Sequence, residues 1–329
     1  MKKIFITGVA GMIGSNLAIS FLNQGYKVIG LDNLWRGKKS NLSSTLMESE
    51  NFEFRYLDIT LDRSWWTEVD DSSILVHVAD IVAGIDYVFL NEWSVFKKNI
   101  EINTVMAELI LKRKPEKFIY LGTACSYPQS MQRSVLNSGL TEIDKFPADP
   151  ESGYGWSKLI GEIEYNLVTK SSNTKLITLD LHNVYGWPTI YADETAQVVP
   201  ALIFKALQSK DKKLLVWGDG SQGRAFLNVK DVVTAVNKSI LYEGNYNNFM
   251  IGPNECSTIK NIAELIISHP LTIAEEIVFD KTKPIGDIGR FSKSDLAKNE
   301  LNWEVSVDFE EGLSDLVASI AKDMMKKND

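Results

Sequence analysis

Residues that form disulfides or bind metals are scarce in this sequence. It has two cysteines and three histidines among 329 residues, and Cys125 and Cys256 lie too far apart in the chain to build a disulfide framework or a zinc site. No apolar run approaches the roughly 20 residues that a membrane-spanning helix needs. Met1 to Lys3 lead into a strand pattern instead of an apolar signal core. We therefore expect a soluble, cytoplasmic protein without a metal site or a membrane partner.

The sequence also lacks an excess of basic residues. Its 35 lysines and arginines are outnumbered by 43 aspartates and glutamates, which gives a formal net charge of −8. The basic cluster at Lys38 and Lys39 is too small to change this balance. Because nucleic acids attract proteins through positive patches, we expect no nucleic-acid partner. The hydrophobic content of 44% is that of an ordinary globular chain, and the length is enough for about two domains.

A glycine turn between a strand pattern and a helix pattern is present near the start of the chain. Gly8, Gly11 and Gly14 follow the apolar run 3–7, and the next apolar run ends at Asp32. In such a unit the first glycine permits a tight turn, the second lets the backbone approach a pyrophosphate, and the third lets helix and strand pack closely. The helix N-terminus favours the diphosphate. An acid at the second strand end binds a ribose hydroxyl and repels a 2′-phosphate, so the motif predicts NAD as the cofactor. The residues predicted to bind NAD from this motif are Gly8, Gly11, Met12, Ile13, Gly14, Asp32 and Asn33.

Short apolar runs alternate with helical patterns through the first 180 or so residues. The predicted strands span residues 3–7, 27–31, 52–56, 73–78, 117–122 and 175–181. The predicted helices span residues 12–24, 92–112, 152–169, 197–208, 230–242, 257–268 and 308–325. This alternation predicts an α/β fold with a doubly wound, Rossmann-like parallel sheet, in which ligands bind beyond the carboxyl ends of the strands.

The pattern loosens after residue 183, which indicates a second, smaller lobe. We expect an NAD-binding domain over residues 1–182, with residues 224–252 returning to it. Residues 183–223 and 253–329 are expected to form the C-terminal substrate-binding lobe.

The pattern of three residues indicates where the catalytic groups lie. Tyr154 and Lys158 stand four residues apart at the start of a predicted helix, so their side chains share one face. A lysine cation beside a phenol lowers the phenol's pKa, which lets it act as a base near neutral pH. Thr123, at the end of a predicted strand, is placed to supply a further hydroxyl. The alternative interpretation is that Tyr154 packs in the core and Lys158 is solvated.

These motifs together resemble the extended branch of the short-chain dehydrogenases and reductases, the NAD-dependent sugar-nucleotide epimerases and dehydratases. The segments Leu31-Asp32-Asn33-Leu34, Asp58-Ile59 and Asn183-Val184-Tyr185-Gly186 carry the same resemblance, which extends over nearly the whole chain. It implies that a nucleotide-diphosphate sugar is the substrate and that the helices at 92–112 and 152–169 form a homodimer interface. The further residues it implies at the cofactor are Asp58, Ile59, Val78, Ala79, Asn99, Tyr154 and Lys158. The residues it implies at the substrate are Gly84, Cys125, Asn183, Val199, Trp217, Arg224 and Arg290, the two arginines holding the diphosphate.

The residues after Thr123 reduce the number of reactions that the resemblance allows. The 4,6-dehydratases have an Asp-Glu pair where this chain has Ala124 and Cys125. A cysteine two residues before Tyr-Pro resembles the GDP-mannose 3,5-epimerases and the GDP-fucose synthases, which favours a GDP-sugar. A ketone at carbon 4 makes the neighbouring protons acidic, and a thiolate can remove one. We predict an epimerase that acts through a transient 4-keto intermediate, with Tyr154 as base and Cys125 as acid or base at a neighbouring carbon. The alternative for Cys125 is a small buried hydrophobic residue.

One departure from the family pattern keeps other reactions open. Gln197 and Val198 occupy the place where the resembled enzymes have a lysine or a histidine, and neither can donate a proton as a titrating acid. Inversion at a single carbon, with water acting as the acid, is therefore an alternative to inversion at two carbons. The alternatives are an NAD-dependent dehydratase, an NADPH-dependent epimerase or reductase of a 4-keto-6-deoxysugar nucleotide, and an NAD-binding protein without catalytic activity.

Overall fold

A seven-stranded parallel sheet forms the centre of the larger lobe. The computed structural model describes residues 1–134, 139–282 and 288–328. The strands of this sheet are β1 Lys3–Thr7, β2 Lys27–Asp32, β3 Phe52–Tyr56, β4 Ile74–His77, β5 Lys117–Thr123, β6 Lys175–Leu181 and β11 Asn248–Ile251. Their spatial order is β11-β6-β5-β4-β1-β2-β3, and each neighbouring pair is parallel. The order reverses between β1 and β4, which opens a crevice at the carboxyl ends of these two strands.

Helices cover both faces of the sheet because its strands are apolar on both sides. The helices are α1 Met12–Asn23, α2 Ser44–Met47, α3 Ile85–Leu90, α4 Glu92–Arg113, α5 Gly153–Ser172, α6 Val198–Leu207, α7 Val229–Leu241, α8 Ile259–Ser268, α9 Asp295–Leu301 and α10 Phe309–Asn328. On β1, Ile4 and Ile6 pack with side chains of α1 and α7, while Phe5 packs with those of α4 and α5 on the opposite face. The predicted doubly wound α/β fold is confirmed.

The smaller lobe is built from short strand pairs and three helices. Its strands are β7 Asn183–Tyr185 with β10 Phe226–Asn228, β8 Lys213–Trp217 with β13 Glu276–Asp280, and β9 Gly223–Arg224 between β12 Ser257–Thr258 and β14 Gly289–Arg290. Ile203 of α6, Ile262 of α8 and Ile320 of α10 are fully buried together in a separate hydrophobic cluster. This cluster is distinct from the two that cover the sheet, and it supports the proposed division into two lobes.

The chain crosses between the lobes more often than a simple two-part division implies. After β6 it leaves the seven-stranded sheet, and it returns with α7 and β11, which pairs with β6. Trp303 also lies with the sheet cluster, where its indole N–H donates to the Asp231 carbonyl at 3.0 Å. Among the described residues, no helix is both long enough and apolar enough to cross a membrane.

Candidate active site at the carboxyl ends of the strands

A cavity of about 680 Å³ opens at the carboxyl ends of the central strands and extends to the smaller lobe. Most of the residues predicted for the site line this cavity. They are Gly8, Gly11, Met12, Ile13, Asp32, Asn33, Asp58, Ile59, Val78, Ala79, Gly84, Thr123, Cys125, Tyr154, Asn183, Trp217, Arg224 and Arg290. The parallel strands bring together side chains that are far apart in the sequence.

The glycine turn has the shape that a bound diphosphate requires. Gly8 has a φ of +72°, and a Cβ atom there would lie 2.9 Å from the Ala79 backbone nitrogen. A Cβ on Gly14 would lie 2.2 Å from the Gly8 carbonyl oxygen, so this glycine serves the packing of α1 on β1. A Cβ on Gly11 would meet only that same oxygen, at 3.4 Å. Because no protein atom needs the space beside Gly11, and no side chain caps the N-terminus of α1, this turn fits an anionic ligand.

This difference between the glycines gives a testable prediction. We expect Gly11→Ala to leave the melting temperature of the cofactor-free protein nearly unchanged and to weaken NAD binding about tenfold or more, because the methyl group occupies the diphosphate approach. Calorimetric titration with NAD measures this. Gly14→Ala is the matched control, since it lowers the melting temperature through its clash with backbone. Unchanged NAD affinity in Gly11→Ala would contradict the placement of the diphosphate.

Asp32 lines the cavity at the end of β2, where two backbone N–H groups hold its carboxylate. Its Oδ2 accepts a hydrogen bond from the Ala10 N–H at 2.9 Å, and its Oδ1 accepts one from the Leu34 N–H at 2.7 Å. Burial raises the pKa of Asp32, and the two backbone donors lower it again in part. Each oxygen keeps a second lone pair for a ribose hydroxyl. Asp58 lies beside it, bound by Asn33 at 3.0 Å and fixed by the backbone of Thr60.

Four predicted site residues do not line the cavity. Gly14 lies behind the turn, and Val199 is buried in the cluster of the smaller lobe, whereas its neighbour Val198 lines the cavity. Asn99 is 1% exposed, and it accepts from the Ile81 N–H at 2.7 Å and so supports the loop after β4. Lys158 is also buried, but its ammonium reaches a residue at the cavity wall.

The start of α5 is pressed against the turn after β5, which places Tyr154 beside Thr123 and Cys125. The Ser152 side chain caps the helix by accepting from the Gly155 N–H at 3.3 Å. A Cβ on Gly155 would lie 2.2 Å from the Cys125 carbonyl oxygen, so only glycine permits this approach. The Thr123 hydroxyl is close enough to the Tyr154 phenol to act against the rise of its pKa. The three predicted catalytic side chains therefore share one wall of the cavity.

Asp80, which the sequence analysis missed, changes the electrostatics of this wall. Its Oδ2 accepts from Lys158 Nζ at 3.1 Å and from the Tyr154 hydroxyl at 3.4 Å. Burial and then the Asp80 charge hold the pKa of Tyr154 well above its ordinary value. The expected lowering of this pKa by Lys158 is not found, because burial and the charge of Asp80 outweigh the effect of the ammonium. Asp80 directly follows Val78 and Ala79 at the end of β4, a strand-end position that could have identified it.

Cys125 is engaged by the guanidinium of a buried arginine. Arg290 Nη1 donates to Cys125 Sγ at 2.8 Å, and Arg290 Nε donates to the Gln132 amide oxygen. The Glu151 carboxylate, which also lines the cavity, lies 3.6 Å from Arg290 Nη2. Arg290 is thus fixed beside the thiol, where its positive charge stabilises negative charge that develops on sulfur. The sequence analysis placed Arg290 on the diphosphate and did not identify Gln132 or Glu151.

Among the other side chains that line the cavity, three are unsuited to donate a proton. His182 lines the cavity, but burial and the nearby Arg290 and Arg224 lower its pKa to about 3, so it is neutral at physiological pH. Gln197 and Val198 line the cavity and do not titrate. Within residues 1–134, 139–282 and 288–328, no group of three or more metal-ligating side chains is present.

Comparisons with known proteins identify the family and the fold of the chain. The model of the NAD dependent epimerase/dehydratase family matches residues 4–252. GDP-mannose 3,5-epimerase of Arabidopsis thaliana is 26% identical over 319 residues, which are 94% of this chain and 80% of that protein. The crystal structure of UDP-glucose 4-epimerase with UDP-glucose from Thermotoga maritima superposes with a TM-score of 0.86 at 25% identity, covering 98% of this chain and 99% of that one. UDP-glucuronic acid 4-epimerase from Bacillus cereus, solved with UDP-glucuronic acid and NAD, has the same fold, with a TM-score of 0.81, 24% identity and coverage of 98% and 99%.

Proposed function

The chain belongs to the NAD dependent epimerase/dehydratase family, and from this premise we propose that it is a sugar-nucleotide epimerase that acts through a transient 4-keto sugar. The observation that carries the proposal is the single cavity wall that holds Thr123, Tyr154 and Cys125, with Arg290 donating to the Cys125 sulfur at 2.8 Å. A thiol in this position can exchange a proton with a carbon next to the oxidised one. Hydride transfer alone would not need it.

The first role belongs to Tyr154. In its ionised form, the Tyr154 oxygen accepts the proton of the sugar 4-hydroxyl, and the nearby Thr123 hydroxyl favours this ionised form. Lys158, four residues further along α5, donates to Asp80 beside this phenol, so the ammonium and the carboxylate act on the phenol together. The glycine turn and Asp32 would hold NAD, which would supply the hydride-transfer chemistry at carbon 4.

The second role belongs to Cys125. Once carbon 4 is a ketone, a proton on a neighbouring carbon becomes acidic, and the sulfur removes it. Arg290 stabilises the negative charge on the sulfur before this step. Because His182 is neutral and Gln197 does not titrate, we propose that water returns a proton to the opposite face at a single carbon. The net result is one inverted centre.

The substrate side of the cavity suits a nucleotide diphosphate. Arg224 and Trp217 line it, and the planar guanidinium of Arg224 presents parallel donors to phosphate oxygens. We propose a GDP-sugar as substrate, supported by the cysteine motif and by the GDP-mannose 3,5-epimerase relative. The other relatives act on UDP-sugars by name, so these are the competing substrates.

A panel of GDP- and UDP-sugars tests this function. The purified protein, with the NAD it retains, is incubated with each sugar nucleotide, and the products are separated by chromatography and weighed by mass spectrometry. We expect a new diastereomer of unchanged mass from a GDP-sugar. A product lighter by one water would identify a dehydratase instead, and turnover that needs added NADPH would identify a reductase.

We also propose that the protein forms a homodimer through α4 and α5. Apolar side chains run along the outer face of these helices, and Trp93, Ile163 and Leu167 are 70%, 42% and 60% exposed. A stripe of this kind on two adjacent helices is typical of a self-complementary interface. We expect Leu167→Glu to raise the dissociation constant of the dimer about tenfold or more, as measured by analytical ultracentrifugation. Leu241→Glu, at a 72% exposed position on α7, is the control and leaves the association state unchanged.

A further inference from the structure

Asp80 is the charged residue nearest to the reacting phenol that the proposed function does not use. It lies in the loop after β4, lines the cavity, and its side chain is 14% exposed. One oxygen, Oδ2, accepts from both Lys158 and Tyr154. The other oxygen, Oδ1, forms no hydrogen bond with the part of the chain that the structure describes. The carboxylate is thus anchored to the catalytic pair through one atom and open to the cavity through the other.

We propose that Asp80 is a positioning residue of the catalytic centre, which holds Tyr154 in its protonated form and takes up the ammonium of Lys158. The inference deepens the proposed function, and it rests on that function only for its consequence in turnover. Because Asp80 stabilises the protonated phenol, it shifts the ionisation of Tyr154 to higher pH and makes the ionised oxygen a stronger acceptor of the sugar 4-hydroxyl proton. The chemistry is a proton transfer between Tyr154 and the sugar oxygen, and it needs no further reactant.

The surroundings of the phenol agree with this role. The titratable and charged groups that face Tyr154 are Asp80, Cys125, Tyr120, Lys158 and Arg36. Asp80 acts both through its charge and through a direct hydrogen bond, and it contacts Lys158, whose charge would otherwise favour the phenolate. Arg36 donates to the Thr195 carbonyl at 3.0 Å, and its charge also acts on Asp80 and Tyr154. The Lys158 ammonium also lies 4.4 Å from the centre of the Tyr120 ring, which fixes its direction.

The test is a spectroscopic titration of the Tyr154 phenolate, which needs no substrate. The difference spectrum between the protein and its Tyr154→Phe variant isolates this phenol from the other tyrosines. Because the negative charge of Asp80 disfavours the phenolate, removing it in Asp80→Asn lowers the pKa of Tyr154. We expect the transition to move to lower pH by about one unit or more. Asp193→Asn is the matched control, since it removes a carboxylate from the same cavity without touching Tyr154, and it leaves the transition in place.

The outcomes separate this inference from the proposed function. A phenolate transition that does not move in Asp80→Asn, or in Asp80→Ser if the first variant fails to fold, overturns the role of Asp80. With an active sugar nucleotide, the rising limb of the kcat profile against pH also moves to lower pH in the variant, because deprotonated Tyr154 then exists at lower pH. If the rising limb of the kcat profile does not move in the variant, the proposed role of Asp80 is overturned as well. A wild-type protein that turns over no sugar nucleotide refutes the proposed function and leaves the titration to decide on Asp80.

Discussion

Tyr154→Phe is expected to lower kcat by about a thousandfold, because it removes the only atom that exchanges a proton with the sugar 4-hydroxyl in the proposed mechanism. The phenyl ring keeps the packing of α5 against the Cys125 turn, and the glycine turn and Asp32 are untouched. We therefore expect the variant to retain its NAD and its melting temperature. Steady-state turnover on the active sugar nucleotide, together with the cofactor content by mass spectrometry, measures both.

The matched control for this variant is Tyr191→Phe. The Tyr191 phenol donates to Asp323 at 2.6 Å and does not line the cavity, so its loss leaves kcat unchanged within about twofold. A Tyr154→Phe protein that keeps a tenth or more of the wild-type activity would show that another group carries the proton.

Cys125→Ser is expected to separate the two halves of the reaction. The hydroxyl of serine is a far weaker acid than a thiol, so removal of the proton next to the ketone slows by about a hundredfold or more. Oxidation at carbon 4 depends on Tyr154 and continues. We expect the bound cofactor to become reduced on mixing with substrate, as seen by its absorbance, while the epimerised product no longer forms.

Cys256→Ser provides the control for the second cysteine. Cys256 lies outside the cavity, in the loop before β12, and burial raises the pKa of its thiol. Its substitution leaves both half-reactions unchanged. If Cys125→Ser forms the epimer at the wild-type rate, the thiol has only a packing role, and the reaction is centred on carbon 4 itself.

The sequence predicts the framework of this molecule because local patterns determine it. The strands of the sheet up to Lys175–Leu181 and the long helices α1, α4 and α5 coincide with predicted segments to within a few residues. Their apolar runs and glycine turns are contiguous in the chain. The seventh strand, Asn248–Ile251, was missed because four residues are too few to show a period, and its pairing with β6 depends on the long return of the chain.

The interactions within the site are harder to predict, because they join residues that are far apart in sequence. The contact of Arg290 with Cys125 spans 165 positions and that of Lys158 with Asp80 spans 78. Burial of Tyr154, together with the charge of Asp80 from another strand end, outweighs the expected effect of Lys158 on the Tyr154 pKa. Prediction fails in a similar way for Val199 at the start of α6. The sequence does not reveal which of two adjacent valines faces the cavity and which faces the core.

The central claim is that the protein epimerises a sugar nucleotide through a keto intermediate. Incubation of the NAD-containing protein with the active sugar nucleotide in deuterated water tests it most directly, with the product analysed by mass spectrometry and NMR. The account predicts one deuterium at a carbon next to carbon 4 in a product of otherwise unchanged mass, with NAD still bound. An epimerised product without deuterium, a product that has lost water, or turnover only with added NADPH would contradict it.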